Sequence, residues 1–215
     1  MSPDREHDVA NALLDISAFR HVPDEPLTLR SGILSPVYID NRRLIHHPPQ
    51  WRTVISSMHA LINEARLDHA VIAGIAVGGV PHSSALAYTL GSPSVFVRKE
   101  AKGHGLQGRI DGGEVAGKQV LLVEDMITTG GSSLSGVTAL RAAGARVSDC
   151  LCITTFGLAE SRQAFQQARV RLWPLVGFGS LLGAAQERDL INGAARAQLE
   201  DWQRAPRDWQ PTPAT

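Results

Sequence analysis

Residues 120–138 read VLLVEDMITTGGSSLSGVT. An aliphatic run ends in two carboxylates, Glu124 and Asp125, and a hydroxyl- and glycine-rich turn then leads into a helical pattern. In an α/β domain this order puts the acidic pair at the carboxyl end of a buried strand and the amides of Thr128 to Ser132 at a helix N-terminus. Such a turn wraps an anion in backbone N–H groups at the positive end of the helix dipole. Carboxylates accept hydrogen bonds from sugar hydroxyls but repel a phosphate. Singly, an acidic strand end or a Gly-rich turn has an ordinary structural explanation. Their order together points to a ribose 5-phosphate.

Working outward, short β-rich runs at 70–73, 94–98, 119–123, 147–156 and 170–176 alternate with small-residue helical stretches at 80–90, 132–143 and 159–168. That alternation predicts a mainly parallel sheet covered by helices. Apolar residues at Val9, Ala12, Leu13, Ile16 and Phe19 predict an amphipathic helix over 8–20, and Trp51, Val54, Ile55, Met58, Leu61 and Ile62 mark a second one. Residues 27–40 read as two short strands around a turn, and a helical pattern runs from Leu181 to Arg204. A chain of 215 residues, 43% apolar and 20% charged, fits one domain over 1–204, followed by a loose polar tail, APRDWQPTPAT, over 205–215.

Lys plus Arg and Asp plus Glu number 21 each, so no general basic field points to nucleic acid or an anionic membrane. The N-terminus is polar and no stretch has the length of a membrane span, so a cytoplasmic location is expected. Cys150 and Cys152 alternate within DCLCITTF, which predicts two reduced thiols on one strand face. His46-His47 lacks companion ligands at metal spacing and reads as loop surface.

Three further stretches carry chemistry. In VIAGIAVGGVPHSSALA, 71–87, a buried strand runs into Gly74, Gly78 and Gly79. Alone it is an ordinary strand-to-helix turn. Beside a ribose-phosphate seat on the same sheet edge it becomes a candidate pyrophosphate loop. His82 follows, placed either to reach that pocket or to serve as a helix cap or surface group. In VFVRKEAKGHGLQGRIDGG, 95–113, a strand delivers Arg98 and Lys99, and Lys102 and His104 follow between glycines. A solvated hairpin tip has a similar look, but the density of basic groups suits a mobile lid over a highly charged leaving group. In LTLRSGILSPVYIDNR, 27–42, Tyr38 is either a core aromatic or a platform for a planar base.

Taken together, Ser31-Gly32 with Ser35-Pro36, GIAVGGVPH, the RKEAKGHG run and VEDMITTGGSS resemble the orotate phosphoribosyltransferases, of the type I phosphoribosyltransferase family, in the family's order from about residue 10 to residue 204. The resemblance implies a central, mainly parallel sheet flanked by helices with a small N-terminal hood, largely from residues 20–45. It implies 5-phosphoribosyl transfer from phosphoribosyl pyrophosphate (PRPP) to orotate in pyrimidine synthesis, with Mg2+ held mainly by PRPP and water. It also implies a homodimer in which the basic loop of one chain closes over the other's site. Carried over by position, Arg98, Lys99, Lys102 and His104 contact the diphosphate, Glu124 and Asp125 the ribose hydroxyls, and Thr128, Thr129, Gly130, Gly131 and Ser132 the 5-phosphate, with Met126 and Ile127 inside the same motif. Lys102, His104 and Asp125 are the expected catalytic groups, and Thr128, Arg30 and Tyr38 the expected orotate contacts. Two positions depart from the family pattern: Arg30 stands where many members have Lys, and TTFGLAESR lacks the early Arg that holds the orotate carboxylate in some members. The PRPP motif also permits transfer to another base, or a non-catalytic PRPP sensor.

Overall fold

The structure, a computed structural model, describes residues 3–100 and 106–211. The chain opens with helix α1 (Pro3–Asp15), which ends earlier than the apolar spacing predicts. Ser17 adopts a left-handed φ of 53° and Ala18 N donates to Leu13 O at 2.9 Å, so Phe19 leaves the helix and enters a strand. Strands β1 (Phe19–His21), β2 (Leu27–Thr28), β3 (Leu34–Ser35) and β4 (Val37–Ile39) make two small antiparallel ladders, β1 with β4 and β2 with β3. A 3-10 turn, Asn41–His46, leads into α2 (Pro48–Ala65).

From there the expected alternation holds: β5 (Val71–Ile75), α3 (Gly79–Leu90), β6 (Ser94–Val97), β7 (Ile110–Asp111), β8 (Gln119–Ile127), α4 (Gly131–Ala142), β9 (Arg146–Thr155), α5 (Ala159–Gln167) and β10 (Arg171–Gly177). The sheet order is β10-β9-β8-β5-β6-β7, with β7 alone antiparallel. Strand β8 runs four residues past the predicted end at Val123, because pairing with β9 continues to Ile127 opposite Thr155. The predicted helix from Leu181 to Arg204 is two helices, α6 (Phe178–Glu187) and α7 (Gly193–Arg204). Asp189, at a φ of 56°, breaks the run, and Asn192 caps the second helix by accepting from Ala195 N at 2.8 Å.

Alternation along the strands sends side chains to two apolar layers. Leu121 and Val123 pack with α1, α2, α3, α6, α7 and the hood, whereas Val120 and Leu122 pack under α4 and α5. Cys150 and Cys152 are free and buried in the second layer, and burial pushes both thiols well up. The hood is tied down by Trp202 Nε1, which donates to Leu34 O at 2.8 Å. The start of the expected loose tail is also held: Arg207 makes a two-pronged contact with Glu160 at 3.0 and 2.8 Å, and Trp209 packs on the core. Residues 212–215 lie outside the described residues. Among the described residues no helix is long and apolar enough to cross a membrane.

Candidate active site

Parallel pairing of β5 with β8 sets Gly74 beside Val123, so the chain leaving β5 passes over the acidic pair. Two glycines permit the close approach. A Cβ on Gly79 would sit 2.6 Å from Val123 O and 3.4 Å from Glu124 Oε2, and one on Gly78 would run into the Asp125 carboxylate. The Ala76–Val77 peptide is cis, and Val77 is exposed at the crest of the turn.

The two carboxyl groups have different surroundings. Glu124 is buried, with Oε1 accepting from Ser133 Oγ and Oε2 from Asp125 N, each at 3.2 Å. Burial first, and then the negative charge of Asp125, push the Glu124 carboxyl well above the usual carboxylate range and favour its protonated form. Asp125 is half-buried and is the open carboxylate of the pair. Its main-chain oxygen accepts from Asn41 Nδ2 at 2.7 Å, and the same amide donates to Thr154 Oγ1 at 2.7 Å. A buried side chain from the hood is thereby pinned to the carboxyl ends of β8 and β9.

Beyond Asp125, Met126 packs toward the hood and Ile127 toward α4. Thr128 and Thr129 are half-buried while Gly131 and Ser132 are exposed, so the turn opens to solvent at the start of α4, which has no side-chain cap. The first amides of a helix have no intrahelical partner and are ready to bind an anion. Gly130 holds a φ of 85° against the Phe165 ring, where a Cβ would sit 2.6 Å from Cε2.

Arg98 and Lys99 leave the end of β6. Arg98 is ion-paired with Asp111, and its carbonyl accepts from Arg109 Nε at 2.7 Å. Arg109 is buried and also donates to Ser135 Oγ at 3.0 Å, tying the returning strand to α4. Lys102 and His104 lie outside the described residues. In the hood, Tyr38 points away from the core, with the Arg20 guanidinium 5.2 Å over its ring. The Tyr38 hydroxyl accepts from Arg42 Nη2 at 2.8 Å. The hydrogen bond to Asp40 pushes the Arg42 guanidinium further up, and the charge of Asp125 adds in the same direction. Arg30 is exposed in the turn before Gly32 and makes no side-chain hydrogen bond or ion pair among the described residues.

The structure therefore gathers Gly78, Gly79, Glu124, Asp125 and the 128–132 turn at one sheet edge. The sequence reading missed Asn41, Arg42 and Arg109, whose partners are distant along the chain or specific to the folded hood. For His82 it left a cap, a surface group and a pocket group open; the side chain is fully buried and caps nothing. Trp51 Nε1 donates to His82 Nδ1 at 3.0 Å, and burial lowers the imidazole pKa to about 4 against the opposing pull of Asp125.

A glycine turn laid on an acidic pair, with a hydroxyl-rich turn at the next helix, all at the carboxyl edge of a parallel sheet, defines a type I phosphoribosyltransferase. A family model described as phosphoribosyl transferase domain matches residues 43–166. An orotate phosphoribosyltransferase of Coxiella burnetii is 36% identical over 204 residues, 95% of this chain and 98% of its own length. The crystal structure of orotate phosphoribosyltransferase from Aeropyrum pernix superimposes with a TM-score of 0.72 at 25% identity, covering 86% of this chain and 99% of the other. That of the Mycobacterium tuberculosis enzyme in complex with PRPP gives 0.63 at 27%, covering 82% and 98%. The chain belongs to the orotate phosphoribosyltransferase family.

Proposed function

We infer that this chain transfers the 5-phosphoribosyl group of PRPP to N1 of orotate, giving orotidine 5′-monophosphate and pyrophosphate in pyrimidine nucleotide synthesis. The observation that carries the reading is the seat of Asp125, an open carboxylate anchored by Asn41 and closely approached by Gly78, beside the anion-binding turn. The 5-phosphate sits on the amides of Thr128 to Ser132, and the ribose hydroxyls donate to Asp125. Glu124, favouring its proton, offers the sugar both a donor and an acceptor.

The bond from the anomeric carbon to the diphosphate oxygen breaks with its electron pair on the leaving group, and the N1 lone pair of orotate forms the new bond. Positive charge grows at the anomeric carbon as the old bond lengthens. Asp125 offsets that charge, and Arg98, Lys99, Lys102 and His104 neutralise the departing diphosphate. Binding both substrates in one pocket removes the entropic barrier of their encounter, and loop closure excludes water.

The donor set fits Mg2+ held largely by substrate. Asp125 supplies one open carboxylate beside the 128–132 turn. Magnesium commonly keeps several waters and takes one or two carboxylates with substrate phosphates. When bound it neutralises diphosphate charge. Tyr38, Arg30 and Thr128 are assigned to the base, and Arg42, which donates to the Tyr38 hydroxyl at 2.8 Å and stands in for the early Arg the sequence lacks, is the cation we assign to the orotate carboxylate. The active unit is a homodimer in the cytoplasm, with the 98–105 loop reaching the partner's site and no nucleic-acid or membrane partner.

The test is ultraviolet detection of orotate loss with PRPP and magnesium, beside uracil, adenine, guanine and hypoxanthine. Loss of orotate alone is expected. Turnover of another base alone would reassign the acceptor, and PRPP binding with no turnover would make the chain a sensor.

A further inference from the structure

His82 has one ring nitrogen explained and one left over. An indole N–H is a donor only, so the 3.0 Å contact from Trp51 Nε1 makes His82 Nδ1 the acceptor. The neutral ring therefore carries its proton on Nε2. That N–H is buried and has no hydrogen-bond partner among the described residues, and a buried donor in a folded protein ordinarily has one.

Its placement points to the acidic pair. Gly78 has helical dihedrals, φ −63° and ψ −41°, so His82 lies one turn on, on the same face. Side chains of a helix lean toward its N-terminus, which brings the imidazole back over the Gly78 turn. The Asp125 carboxylate lies against Gly78 there, and its negative charge is felt by the ring. Asn41 already holds the main chain of Asp125 by its carbonyl.

We propose that His82 is a positioning residue: Trp51 fixes its tautomer, and its Nε2–H directs the Asp125 carboxylate toward the ribose, as a hydrogen bond made directly or through one water when substrate fills the site. The proposal rests on Asp125 being the ribose carboxylate. It assigns the paired Trp51 and His82 a part in turnover beyond packing α2 against α3.

The test is a double-mutant cycle read by steady-state kinetics and by PRPP affinity. His82→Leu removes both nitrogens, and kcat is expected to fall about tenfold with the KM for orotate unchanged. His82→Gln keeps an acceptor for Trp51 and a donor for Asp125, and returns kcat to within about threefold of the parent. In an Asp125→Asn background the Leu change is expected to add less than about twofold, because the residue it acts through is already altered. Trp51→Phe, which frees the tautomer without touching the imidazole, gives a smaller loss of the same kind and serves if His82→Leu does not fold. Equal losses in the Leu and Gln variants, or additive losses with Asp125→Asn, would reduce His82 to a packing residue and overturn the proposal. Full activity of Asp125→Asn alone would overturn the reading of Asp125 itself, and this proposal with it.

Discussion

Asn41 and Asp125, 84 positions apart, are joined by a 2.7 Å hydrogen bond from the Asn41 amide to the Asp125 main-chain oxygen. The same amide reaches Thr154 at 2.7 Å, so one buried side chain of the hood registers two adjacent strand ends. The carboxylate assigned to the ribose is thus positioned from outside its own strand.

Asn41→Ala is expected to leave the Asp125 carbonyl and the Thr154 hydroxyl without this donor. The cost should be about 1–3 kcal/mol of stability, read by urea denaturation. Turnover should fall further than stability requires, because Asp125 is then free to shift. Unchanged kcat in a variant of reduced stability would separate the anchor from the chemistry.

Two buried groups give opposite dependences of stability on pH. The Glu124 carboxyl is raised in the folded state, so its contribution is fully present below the ordinary value of 4.5 and is lost as pH climbs toward the folded value. Glu124→Gln should remove that decline and gain relative stability as pH rises. His82 is lowered to about 4 from 6.5, so the unfolded chain takes up its proton first as pH falls, and stability drops between those two values. The full drop is about 3 kcal/mol by linkage, and His82→Gln should flatten it. Urea denaturation from pH 4 to 9 on the three proteins reads both slopes; parallel curves would show that neither group titrates as its burial requires.

Gly130→Ala meets two penalties, a side chain at a φ of 85° and a Cβ 2.6 Å from Phe165. Strain and overpacking together should cost about 2–4 kcal/mol. PRPP affinity should weaken because this residue lies in the middle of the 128–132 turn assigned to the 5-phosphate, measured by calorimetry. Adding Phe165→Leu relieves the contact but not the dihedral, and is expected to recover only part of the loss.

Lys102→Ala tests the lid. Its kcat should fall about 100-fold or more with little change in unfolding midpoint. Mixing this variant with Asp125→Asn should restore activity above either alone if the loop of one chain serves the partner's site. An unchanged rate in Lys102→Ala would remove the lid from the reaction.

Much of the site was legible because its signals are local. The order of an aliphatic run, Glu124-Asp125, and a Thr-Thr-Gly-Gly-Ser turn constrains a strand, an acidic end and a helix start within a few residues. The boundary of β8 was misplaced because pairing with β9, and not the composition of 124–127, carries the strand to Ile127. The long helix from Leu181 was divided by the left-handed Asp189 and the Asn192 cap, both weak signals inside a continuous apolar pattern.

By itself, the sequence determined the parallel α/β plan, the glycine- and hydroxyl-rich turn before α4 and the acidic pair at the strand end, since periodicity, glycine placement and charge act over neighbouring residues. Only the tertiary structure decided how that pair divides its work. Burial, and then the charge of Asp125, favour the proton on Glu124, while Asn41 and the Gly78 turn leave Asp125 open. Desolvation and long-range hydrogen bonds depend on what the fold brings alongside, and adjacent carboxylates in a sequence carry no mark of which will be buried.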